Sequence, residues 1–214
     1  MSFHNKIKQI ENSRFELDEK VNLVLVLAGV KPSTELGLYE LDDFSNFDYD
    51  IKKDTMRFKP SYENHLRSEV SNLLEELELF YDISEKKEIG FPEFFDMETR
   101  TISPMVESIF INVAKTKNNL NYLLHAKKDP LSKSHHRRYG LAVGYPKTAI
   151  LAFDGVLEKE YNLEIEDKVL NFFADFFVFS KKYMEDELKV SRLWKDTIER
   201  LSPNLYSEVK DYAA

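Results

Sequence analysis

No cysteine occurs in the 214 residues, which excludes disulfides, cysteine-ligated zinc, iron–sulfur clusters and any thiol nucleophile. Glycine is scarce, six in all, and neither Gly-x-Gly-x-x-Gly nor a Walker loop is present to cradle phosphates. Long apolar runs are missing too. The longest clean one, Leu23–Val30, falls far short of the ~20 residues a membrane span needs. Glu11, Glu16, Asp18 and Glu19 before it do not suit a signal peptide. The expectation is a cytoplasmic protein that makes no membrane contact.

Catalytic patterns are equally sparse. No Glu-x-x-His pair offers a carboxylate-bridged metal site, and no nucleophile elbow surrounds any serine. His65 and Glu69 share a helical face at four-residue spacing, but two ligands are too few for a metal. Neither a metal nor a cofactor is expected, and no residue is assigned as catalytic.

The remaining composition, 43% hydrophobic and 32% charged, suits a folded globular chain. At roughly 100–200 residues per domain, the length predicts one domain over 1–214. Helical spacing dominates. Phe3, Ile7, Ile10, Leu17, Val21, Val24 and Ala28 recur at three- and four-residue steps, with a break near Asn12–Ser13 and a stop at Gly29 and Pro32. A second helix follows Pro60, burying Leu66, Val70, Leu73, Leu74 and Leu77. A third is predicted from Ser103–Pro104, burying Val106, Ile109, Val113, Leu120 and Leu124. From Val156 to Ser202 no Gly or Pro intervenes, and a polar patch at Ser180–Lys182 divides that stretch into two helices. Ser202–Pro203 then opens a terminal helix. Acidic, aromatic stretches at 31–59 and 82–102 have no assigned helix and hold at most one minor strand pair. The expected fold is therefore all-α: a single-domain bundle of six to nine helices.

The net charge of −8 conceals a segregation. Residues 108–153 carry eight cations against Asp129 alone, a block of +7 that leaves −15 elsewhere. Such a block attracts anionic small molecules, nucleic acid or an acidic protein surface. It also suits the chain's own acids, since residues 34–98 hold 18 acids and seven bases, or those of a second copy. Aromatics on more than one face of Phe172–Phe179 add a hydrophobic argument for a homodimer.

Within the basic block, Ser134 to Phe153 reads as two short helices meeting at a corner. Ser134 caps the first, Gly144 ends it, and Pro146 opens the second. Arg137, Arg138 and Lys147 would surround the free N–H groups of the second helix, with Tyr145 beside them and His135 or His136 at the rim. These six residues are the candidate ligand-binding set. The corner also matches a helix-turn-helix template, yet its second helix offers Ala149, Leu151 and Ala152 where base-reading side chains would stand. DNA binding therefore ranks third, behind an anion-binding regulatory module and an enzyme using His135 or His136 on a phosphorylated or carboxylated substrate.

Gly29-Val30-Lys31-Pro32, Arg138-Tyr139-Gly140 and Gly144-Tyr145-Pro146 resemble the landmarks of an uncharacterised prokaryotic, largely archaeal family. Its members carry a Gly-x-Lys-Pro turn and a later Gly-x-x-x-Gly-Tyr-Pro element. Cysteines often follow Gly-Tyr-Pro there, whereas this chain has Lys147-Thr148-Ala149, so the resemblance implies no thiol or metal chemistry and no particular activity.

Overall fold

The N-terminal apolar rhythm forms two helices, α1 (Phe3–Glu11) and α2 (Leu17–Leu27), in a computed structural model that describes residues 1–38, 44–90, 95–96, 101–102, 104–132, 134–161 and 164–214. Ser2 caps α1 by accepting from the Asn5 N–H. Glu16 and Glu19 form a reciprocal capping box on α2. Val21 and Leu23 to Leu27 are all buried, so α2 is covered on every side and runs through the core. Gly29 ends it at φ +77°. Its N–H donates to Val26 O while that of Val30 reaches Leu25 O, the αL termination that glycine permits.

The chain does not fold as an all-α bundle. The fold is mixed α/β. Strands β1 (Ser33–Leu38), β2 (Phe47–Asp50), β3 (Thr55–Phe58) and β4 (Phe80–Ile89) join β7 (Met105–Ala114) in a five-stranded sheet. β5 (Phe95–Asp96) and β6 (Thr101–Ile102) form a separate pair. β7 is the spine: β4 and β1 flank it antiparallel, and β3 meets its start in parallel at Thr55–Met105. The helix predicted from Ser103 is thus a strand at Val106, Ile109 and Val113, and Ser103 itself lies outside the described residues. Those three residues share a helix-like spacing, but Ile111 and Ala114 between and beyond them are buried as well. A strand covered on both faces shows no clean alternation, and its Val and Ile content favours the extended chain.

The sheet has two unlike faces. Leu36, Leu38, Ile109, Ile111 and Val113 belong to the main core with α2 and with Leu66, Val70 and Leu74 of α3 (Pro60–Glu76). The alternate positions Glu35 and Asn112 meet α4 (Lys117–Lys127) through Lys127. In α4, Leu120 and Leu123 are buried, whereas Leu124 is half-buried.

Two short helices come next, α5 (His135–Ala142) and α6 (Lys147–Phe153). The C-terminal stretch divides into α7 (Lys168–Ala174) and α8 (Met184–Leu201), and α9 (Pro203–Ala213) closes the chain. The Phe172–Phe179 run turns inward: Phe173 and Phe179 are buried, and Phe176 and Phe177 meet the Trp194 ring edge-on at 5.8 and 5.7 Å. These aromatics are core. No helix among the described residues is long and apolar enough to cross a membrane.

Candidate functional site

Gly144 and Pro146 bound the two helices of the corner as expected, but Ser134, at the start of α5, makes no side-chain cap hydrogen bond. Gly144 adopts φ +84°, and the Tyr145 N–H closes α5 on Gly140 O at 2.9 Å. A Cβ at Gly144 would stand 2.7 Å from Pro32 Cδ, and one at Gly140 2.8 Å from Ile150 Cγ1. Glycine is required at Gly144 for backbone and space together, and at Gly140 so that α5 and α6 can touch. The turn after α2 and the turn after α5, far apart in sequence, therefore lie against each other. Ser33 Oγ reinforces the contact by donating to Ala142 O at 2.6 Å, and Asn119 Nδ2 donates to Pro32 O.

Beside this corner opens a cavity of about 430 Å³, within the range of small-molecule sites. α5 contributes His136, Tyr139 and Gly140, the corner Tyr145, and α6 Ala149, Ile150 and Phe153. Asp175 to Val178, following α7, complete the wall. Gly140, Ala149 and Ile150 are buried and form the floor, whereas His136, Phe153 and Asp175 are exposed and form the mouth. Burial pushes the Tyr139 and Tyr145 hydroxyls above their ordinary range and raises the Asp175 carboxyl.

Of the six residues predicted as a ligand set, only His136 and Tyr145 line the cavity. His135 is turned away: its Nδ1 lies 3.1 Å from the Ala126 carbonyl, and its ring stacks on Tyr139. Arg137 pairs with the largely buried Asp154. Lys147 is exposed. Arg138 holds Nε and Nη2 buried with no hydrogen-bond partner among the described residues. Part of the basic block answers the chain's own acids, since Lys127 bridges Glu35 and Glu85 beneath α4. Lys133 lies outside the described residues. α6 buries Ala149, Ile150 and Ala152, leaving little of it to enter a DNA groove. Comparison with protein-family models, curated proteins and solved structures finds no match. Nothing beyond the chain's own chemistry bears on the site.

One functional group escaped the sequence reading. Lys31 is 2% exposed, and its Nζ donates to Asn22 Oδ1 at 2.7 Å. Three rings surround the ammonium, Trp194 at 4.8 Å, Phe176 at 5.4 Å and Tyr145 at 5.5 Å from their centroids. Burial pushes the amine down to about 7, while the ring faces and the Asn22 oxygen favour its charged form. Two of these rings, Tyr145 and Phe176, are also cavity walls. The available signal was a lone lysine between the apolar run ending at Val30 and the strand starting at Ser33. Asp175, Phe176 and Phe177 were missed because a phenylalanine-rich stretch reads first as core. His65 and Glu69 stand 3.8 Å apart as a surface pair, and no cluster of metal-ligating residues occurs among the described residues.

Proposed function

We propose that this chain is a non-enzymatic binding module, cytoplasmic, whose small-molecule ligand occupies the cavity between α5, α6 and the segment after α7. The observation that carries this reading is a cavity of about 430 Å³ walled by five aromatic side chains, with His136 and Asp175 at its mouth. That is the composition of a ligand site: apolar walls for affinity and a few polar groups for orientation. Among the described residues no Lys or Arg lines it, so the ligand's main contacts are with rings rather than with the basic block. A thermal-shift screen of small aromatic and aliphatic compounds tests the reading. Hits should disappear in Ala149→Leu and Val178→Phe, which fill the cavity from opposite walls. Stabilisation that survives both changes would place the ligand elsewhere.

A second reading is favoured by Arg138. Its guanidinium has two buried nitrogens without a partner among the described residues, donors whose fork geometry suits phosphate oxygens. On this reading inorganic phosphate or pyrophosphate stabilises the protein, and Arg138→Ala abolishes that stabilisation while leaving the unliganded melting temperature almost unchanged. An unresponsive wild type rejects it. The homodimer expected from the sequence rests on charge complementarity and on the exposed Leu141, Phe153 and Val156 now that the Phe172–Phe179 aromatics are internal. Sedimentation that shows only the 25.2 kDa monomer rejects it.

A further inference from the structure

The charges around the cavity restrict what kind of molecule it takes. Three of its aromatic walls already carry an ammonium. Lys31 Nζ lies over Tyr145 and Phe176, and Lys159 Nζ lies 5.3 Å from the Phe153 centroid. Neither lysine lines the cavity, so both approach these rings from outside it. Below about pH 7, where Lys31 keeps its proton, a cation placed inside would face two ammonium groups across the same rings, and the ring quadrupoles that attract cations are already engaged. A ring with a cation on one side presents a less electron-rich surface on the other, which suits an electron-rich aromatic partner in offset or edge contact.

The mouth sets a second condition. Among the described residues, Asp175 is the only carboxylate in the lining and makes no ion pair. Asn171 Nδ2 donates to it at 3.5 Å. A carboxylate offers acceptors only, so it rewards a ligand O–H or N–H and repels a ligand anion. Among the described residues no cation lines the cavity beside it, and Lys31 and Lys159 act only through the ring walls. His136, edge-on to Phe153 at 5.0 Å, supplies a ring nitrogen that can donate or accept beside it.

Resting on the cavity reading above, we infer that the ligand is a neutral, electron-rich aromatic molecule of one or two fused rings carrying a hydrogen-bond donor, of the phenol or indole class. Its ring lies between Tyr145, Phe176 and Phe153, and its donor points at Asp175. Organic cations are disfavoured by Lys31 and Lys159, and aromatic carboxylates by Asp175.

Isothermal titration at about pH 6, where Lys31 is charged, with four compounds of one shape tests this: 2-naphthol, its methyl ether, 2-naphthoate and 2-naphthyltrimethylammonium. The alcohol should bind about tenfold more tightly than the methyl ether, the difference one hydrogen bond to a charged acceptor makes, and the two ions should bind more weakly still. Asp175→Ala should reduce 2-naphthol to the affinity of its ether while leaving the ether unchanged. A methyl ether or an ammonium that binds as tightly as the alcohol overturns the inference and leaves the cavity reading standing. Failure of all four compounds to bind, with the wild type folded, overturns both.

Discussion

At the scale of single residues, two buried ionisable groups on or beside α2 give the protein an unusual pH response. Lys31 is pushed down to about 7 from an ordinary 10.5. Between those values the unfolded chain holds a proton that the folded protein has released, so this group makes stability rise with pH across that window. Glu19 behaves in the opposite sense. Burial raises its carboxyl to about 7 from an ordinary 4.5, against hydrogen bonds from the Gly37 and Glu16 N–H groups. Between 4.5 and 7 the folded protein holds a proton that the unfolded chain has lost, so this contribution falls as pH rises. Together they produce a dip near neutrality. Melting curves from about pH 5 to 10 should show Lys31→Met flattening the alkaline rise and Glu19→Gln flattening the acid-side fall. A wild-type midpoint that drops steadily above about pH 7, with Lys31→Met parallel to it, would mean that Lys31 stays protonated in its aromatic cage.

At the scale of elements, the corner is held by contacts that permit only glycine, and two glycines separate the causes. Gly29 and Gly144 both have positive φ, but a Cβ at Gly29 would meet nothing within 4 Å while one at Gly144 would meet Pro32 Cδ at 2.7 Å. Gly29→Ala should cost roughly 1–2 kcal/mol, the αL penalty alone. Gly144→Ala should cost that plus ~1–3 kcal/mol of overpacking. For a chain of this size each kcal/mol lowers the melting temperature by roughly 2–4 °C, so differential scanning calorimetry should separate the two variants. Equal losses would show that the α2 and α5 turns do not bear on each other. These helix ends were legible because Gly, Pro and Ser mark them locally. The strands were not. β7 mimics helical spacing because both its faces are buried. β4 carries Glu85, Lys86, Lys87 and Glu88, and Lys86 among them pairs with Glu63 and Glu107, which leaves only a faint alternation. Registers such as Leu36 opposite Ile111 join segments far apart in the chain, and no local rule specifies such a pairing.

At the scale of the whole molecule, the charge segregation is resolved inside the chain only in part. Lys127 spans acids from β1 and β4, and Arg137 meets Asp154 at the end of α6. The sequence pointed to this corner by its charge. Its basic residues drew attention to 135–147, whereas the cavity there is aromatic and shares its walls with a lysine from the other end of the chain. Composition alone does not reveal that Tyr145 and Phe176 face a common space, because only the packing of α5 and α6 against the segment after α7 brings them together. The central claim is that this space receives a ligand. Titration of methyl-labelled protein with 2-naphthol, followed by NMR, tests it most directly. The Ala149 and Ile150 methyl resonances should shift together and saturate, while Leu79 and Val209, buried elsewhere in the core, stay fixed. Unmoved Ala149 and Ile150 signals, or shifts scattered over the molecule without saturation, would contradict the account.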